Sequence, residues 1–165
     1  MKIKIIINSG IYKEHKKIAE AFVKELQEKE YEVMIVDLQK DIPAHEKNQI
    51  IKQEHSHLII TFNMVGFELR TTLNSASYNV MPYRMAHVLL EEYSLYSKWL
   101  QEPMNFSMFF YASDKTAEEI KKNHPETENV YSVDAFSSSR WWDDDNTVHE
   151  LVNKIINDTE IELDF

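Results

Sequence analysis

The chain has 165 residues, 43% of them apolar and 12% aromatic, which is enough to bury a core and excludes a disordered or low-complexity protein. Its 28 acids against 18 bases, a formal net charge of −10, argue against a nucleic-acid partner, which would need a basic face. The absence of cysteine removes disulfides, thiolate nucleophiles and Cys-based metal sites.

In chain order, Lys2 to Asn8 is a β-branched run that breaks at Ser9-Gly10. It is too short and too charged for a signal peptide or a membrane span, so the expected location is the cytoplasm. From Lys13 a helical period begins, with Ile18, Ala19, Phe22, Val23 and Leu26 as its apolar stripe. Tyr31 to Leu38 returns to strand character, so the first 38 residues predict a βαβ unit. Pro43 to Gln53 predicts a shorter helix, and Leu58 to Phe62, nearly all apolar, a third strand covered on both faces.

A polar stretch from Thr71 to Asn79 then precedes what the spacing predicts as one long helix from Pro82 to Pro103, with Met85, Val88, Leu89, Tyr93, Tyr96, Trp99 and Leu100 on its stripe. Phe106 to Tyr111 reads as a fourth strand, Thr116-Ala117-Glu118-Glu119 as a capping box, and Val130 to Phe136 as a fifth strand. Val148 to Ile156 marks a final helix, and Asp158 to Phe165, with four acids, a solvated tail. No repeat or linker interrupts residues 1–165, which predict a single domain.

Five strands alternating with helices imply an α/β fold with a doubly wound parallel sheet, order 2-1-3-4-5, helices on both faces, and a ligand crevice at the carboxyl ends of strands 1 and 3. An average chain of this length would hold roughly 12 glycines. This one holds two, and Gly10 and Gly66 follow those two strands. They are either the mouth of the crevice or plain strand-to-loop turns.

At these residues the chain resembles the flavodoxin-like superfamily and, within it, the NAD(P)H quinone reductase and FMN reductase group. The segment Ala19 to Leu38, AEAFVKELQEKEYEVMIVDL, is similar to that group's first helix and second strand, with Glu32, Val33, Asp37 and Leu38 in the matching places. The resemblance implies a flavoprotein oxidoreductase that binds FMN and takes hydride from NAD(P)H for a quinone or similar small-molecule electron acceptor, with no catalytic acid or base demanded. It further implies phosphate held by Ser9, Gly10 and Tyr12 at a helix N-terminus, and a flavin ring held by Met64, Val65, Gly66 and Phe67 with Ala112 and Ser113 close to it. A homodimer packed through the long helix is the implied assembly.

The alternative is a flavodoxin-fold binding or regulatory module that has lost the cofactor, which the sparse hydroxyls of the first loop and the missing proline and tryptophan of the second favour. A nucleotide- or nucleoside-processing enzyme with Glu68 as nucleophile is a third reading. Other chemistries find no support: His55-Ser56-His57 points to opposite faces of a strand start, no metal-ligand spacing occurs, and neither Gly-x-Ser-x-Gly nor a Walker motif is present. Arg140-Trp141-Trp142-Asp143-Asp144-Asp145 either lines a pocket or partner surface, or covers the sheet edge and caps the final helix.

Overall fold

The computed structural model describes residues 1–39, 41–53, 55–105 and 107–160. Six strands form one parallel sheet in the order β2-β1-β3-β4-β5-β6: β1 (Lys2–Ile7), β2 (Glu32–Asp37), β3 (Leu58–Phe62), β4 (Arg84–Leu89), β5 (Met108–Ala112) and β6 (Asn129–Ser132). Five helices cover it: α1 (His15–Glu28), α2 (Ala44–Lys52), α3 (Tyr93–Leu100), α4 (Asp114–Asn123) and α5 (Asp145–Glu160). The class is as expected from the sequence; the strand count is not.

The additional strand is β4, inside the segment that predicts one long helix. Alternation explains both the strand and its disguise. Ala86 and Val88 face α1 and α5, whereas Met85, His87 and Leu89 face the other layer, so both sides of Arg84–Leu89 are buried and no polar period shows. Only Tyr93–Leu100 is helical, entered through Glu92, whose extended backbone ends the run. The last expected strand shortens to Asn129–Ser132, and a 3-10 turn at Asp134–Ser137 takes over. Phe106, at the head of the expected fourth strand, lies outside the described residues.

Two cores flank the sheet. Ile3, Ile5 and Ile7 of β1 pack with Ile18, Phe22 and Leu26 of α1 and with Val148, Leu151, Val152 and Ile155 of α5. On the opposite face Ile6 joins Ile51 of α2, Tyr96 and Leu100 of α3, and Ile120 of α4. Each such fully buried side chain contributes roughly 1.5–3 kcal/mol over leaving it exposed. Lys4 shares the Ile6 face, is 1% exposed and donates from Nζ to the Ile51 carbonyl at 2.9 Å.

Ser113, rather than Thr116, caps α4: its hydroxyl accepts from the Thr116 amide, which places Thr116 within the first turn. The expected acidic tail is also corrected in part. Helix α5 runs to Glu160, Thr159 is buried, and Tyr111 donates its hydroxyl proton to Asp158 at 3.0 Å; residues 161–165 lie outside the described residues. Among the described residues no helix is long and apolar enough to cross a membrane.

Candidate functional site

The strand order reverses between β1 and β3, and the loops that leave their carboxyl ends carry most of the residues the sequence singles out. The loop after β1 is closed on itself. Asn8 is buried, and its Oδ1 accepts from the amides of Gly10 and Ile11, both at 3.1 Å. The Tyr12 amide donates to the Asn8 carbonyl at 3.0 Å. Ser9 donates twice to Asp37 at the end of β2, from its amide to Oδ1 at 3.1 Å and from its hydroxyl to Oδ2 at 2.5 Å. Four successive N–H groups, from Ser9 to Tyr12, therefore have acceptors within the chain, and a carboxylate and a carboxamide fill the role that a phosphate plays in an anion-binding loop. Gly10 serves this arrangement, since a Cβ on it would stand 3.3 Å from Asn8 Oδ1.

The loop after β3 is built for packing. Asn63 and Met64 both adopt the left-handed region, with φ of 55° and 56°, and Gly66 follows at 90°. A Cβ on Gly66 would lie 2.1 Å from the Tyr78 hydroxyl oxygen, which donates to the Val65 carbonyl at 2.7 Å. Phe67 is wholly buried and meets the rings of Tyr78, His87 and Trp99. Met64, Val65, Phe67 and Ala112 all belong to the core on the α2, α3 and α4 face. Of the residues the resemblance implies for a cofactor, Tyr12 alone lines the main cleft; Ser9 is engaged with Asp37, and Gly66 is covered by Tyr78.

That cleft, of about 480 Å³, lies over the carboxyl ends of β1, β3 and β4. Its walls are Tyr12 of the loop after β1, Glu14, His15 and Ile18 at the start of α1, Asn63 after β3, Leu90 and Glu91 after β4, and the 136–142 segment. Asn63 ties these loops together. Its amide donates to the Val88 carbonyl at 2.8 Å, and its Oδ1 accepts from the Leu90 amide at 2.7 Å and from the Tyr96 hydroxyl at 2.5 Å. Those two donors fix the orientation of the carboxamide, so its Nδ2 is the atom that faces His15 Nε2 at 3.4 Å.

His15 is 2% exposed, and its ring stacks on that of Tyr12 with centroids 4.4 Å apart. Burial pulls its pKa down to about 4 although Glu14 and Asp37 push the other way, so the imidazole is neutral at pH 7. With Nε2 accepting from Asn63, the single proton sits on Nδ1, and that N–H is buried with no partner. The indole N–H of Trp142 is likewise buried and unpartnered. Two of the three such buried atoms among the described residues thus belong to cleft-lining side chains. Native structures pair more than nine in ten buried polar groups, so these two N–H groups are exceptions within the chain.

The 136–142 segment combines the two roles its sequence suggests. Trp141 is buried against Phe22 and Phe136, with ring centroids 6.3 and 4.9 Å away, while Trp142 lines the cleft. Arg140 turns the chain at a φ of 55° and pairs through Nε with Asp143 at 2.7 Å. Asp144 accepts from the Asn146 amide and the Thr147 hydroxyl at the start of α5. The expected reading of Tyr93, Tyr96 and Trp99 as one helical stripe resolves into a hydroxyl on His124 Nε2 at 2.7 Å, a hydroxyl on Asn63, and a ring under the Arg70 guanidinium.

The cleft's titratable groups with displaced pKa values are His15, lowered to about 4, and Tyr12, raised by burial and by the nearby Glu91 and Glu68; both are neutral at pH 7 and neither is tuned to exchange protons there. Glu68 is exposed and does not line the cleft. No group of three or more histidines and carboxylates among the described residues could hold a metal ion. Fold and site together define a parallel α/β protein, compatible with a flavodoxin-like fold, with a polar-aromatic cleft at the topological switch point. No protein-family model matches the sequence, and neither does any curated protein.

Proposed function

We propose that the protein is a small-molecule binding module on a flavodoxin-like scaffold, whose ligand occupies the 480 Å³ cleft and not the loop after β1. The observation that carries this reading is the closure of that loop: the amides of Ser9, Gly10, Ile11 and Tyr12 are spent on Asp37 and Asn8. A phosphate arriving there would displace one carboxylate and face its charge at hydrogen-bond distance. The cleft offers a second concavity of ordinary ligand-site size, walled by polar and aromatic side chains.

The FMN- and NAD(P)H-dependent oxidoreductase is the second reading, favoured by the position of the cleft at the switch point, where doubly wound sheets hold their cofactors. The two separate on one measurement. The full chain is purified and its visible absorbance recorded, then titrated into FMN while flavin fluorescence is followed. A colourless protein that leaves FMN fluorescence unchanged is the expected result. Flavin that co-purifies, is lost in Ser9→Asp and is bleached by NAD(P)H would overturn the binding-module reading in favour of the oxidoreductase.

A further inference from the structure

We infer that the protein carries a second ligand site, a pocket between α3 and α4 that takes a phosphate group. It goes beyond the reading above, because no residue lines both this pocket and the cleft.

The pocket has a volume of about 440 Å³, within the range of ordinary small-ligand sites. One wall is the start of α3, and the other is a stripe of α4 that begins at Lys115. Thr116 belongs to that stripe and is 4% exposed. Its amide is spent on Ser113 Oγ, whereas its hydroxyl has no hydrogen-bond partner among the described residues. That hydroxyl is not sealed off. Among the described residues the buried side-chain atoms closed to both solvent and partners are His15 Nδ1, His87 Nε2 and Trp142 Nε1, so Thr116 Oγ1 keeps contact with the pocket that the residue lines.

Donors surround it. The first N–H groups of a helix have no acceptor within the helix, and the pocket is lined by Tyr93 and Ser94 at the start of α3 and by Lys115 at the start of α4. Lys115 and Lys122 lie two turns apart on the lining side of α4, and neither forms an ion pair with a described residue. Two ammonium groups, helix-start amides and an open hydroxyl are the donor set that a phosphate uses.

Glu92 and Glu119 line the same pocket and oppose an anion, which keeps the affinity modest. A cation fares worse, since it meets both ammonium groups and the positive ends of two helices. The net charge of −10 repels anions from a distance, but physiological salt screens it beyond about 8 Å and leaves the local donors to decide.

Inorganic phosphate and glycerol phosphate are the probes, with glycerol as the control, titrated into the isotope-labelled full chain at constant ionic strength while amide resonances are followed. Both phosphates should shift Ser94, Lys115 and Thr116 saturably, with Kd on the order of millimolar, and glycerol should not. The tighter of the two identifies the form the site takes, free ion or ester. Lys115→Met combined with Lys122→Met, both exposed positions, should weaken binding roughly 10-fold or more. Thr116→Val keeps the side-chain shape and should cost about 3- to 10-fold, while Glu119→Gln should tighten binding about 3-fold. Absence of saturable shifts at these three amides, an undiminished affinity in the lysine or the threonine variant, or no tightening in Glu119→Gln overturns the inference.

Discussion

The two glycine loops and the cleft lie side by side at the carboxyl edge of one sheet, yet their polar groups are in opposite conditions. In the loops after β1 and β3 donors are paired within the chain: Ser9 on Asp37, Gly10 and Ile11 on Asn8, and Tyr78 on the Val65 carbonyl. Beside them, His15 Nδ1 and Trp142 Nε1 have no partner at all. Gly66 marks where the chain crowds against itself, and the cleft is walled by side chains that neighbour the glycines in sequence, Tyr12 and Asn63, together with the turn after β4 and the 136–142 segment. A compositional rarity thus marks the end of the sheet at which the cleft also opens.

The contrast can be broken most forcefully by acid. His87 is wholly buried, with Thr61 Oγ1 at 2.6 Å from Nδ1, and burial takes its pKa from the ordinary 6.5 to about 3; His15 falls to about 4. Because the unfolded chain takes up both protons below pH 6.5 while the folded chain does not, stability is intact above that pH. It then declines towards the folded values, by ~3 kcal/mol for each histidine at pH 4. Urea unfolding midpoints at pH 7 and pH 4 measure the loss, and His87→Leu should show a smaller pH dependence than the parent.

Next in size is Gly66→Ala, which puts a Cβ where the Tyr78 hydroxyl now stands and forces an alanine to a φ of 90°. We expect destabilisation of about 3 kcal/mol or more in thermal or chemical unfolding. A near-neutral result would mean that the loop after β3 can open, returning Gly66 to the list of ligand contacts. Asn63→Ala sharpens the other side of the comparison. It strips the acceptor from the Leu90 amide and the Tyr96 hydroxyl, at roughly 2 kcal/mol, and should also lower affinity for any cleft ligand because His15 loses its neighbour. Gly10→Ala should be the mildest, within ~0.5 kcal/mol, since the new methyl would only approach Asn8 Oδ1 to 3.3 Å and the backbone there is not left-handed.

How far the sequence carries depends on which physical signal each segment emits. The βαβ start was legible because Lys2–Ile7, the amphipathic stripe of α1 and Glu32–Asp37 switch period at Gly10 and Glu30. Strand β4 was not, because Met85, Val88 and Leu89 fall at helical spacing while burial on both faces hides the strand period, and Tyr93–Leu100 continues the same stripe. Reading that stretch as one helix concealed the turn at Leu90 and Glu91, which supplies a wall of the cleft. His15 and Trp142 were visible as residues in suggestive segments, but their unpaired nitrogens follow from packing among α1, Asn63 and the 136–142 segment. These elements are far apart in sequence. The preference of Asp37 for Ser9 over solvent is a tertiary choice of the same kind.

The Ser9–Asp37 contact also bears on an exposed edge of the sheet. Strand β2 is an outermost strand of the sheet, with Met34 and Ile35 37% and 40% exposed, and such a strand is a template for edge-to-edge association. Asp37 anchors its carboxyl end to the β1 loop, Leu38 donates to the Ile7 carbonyl at 2.8 Å, and Lys2 reaches Glu32 at its amino end. Removing the carboxylate, as in Asp37→Ala, would release the end of that strand to fray. Faster amide exchange along Glu32–Asp37 would then precede any change in the rest of the sheet, and aggregation on storage would be its visible sequel.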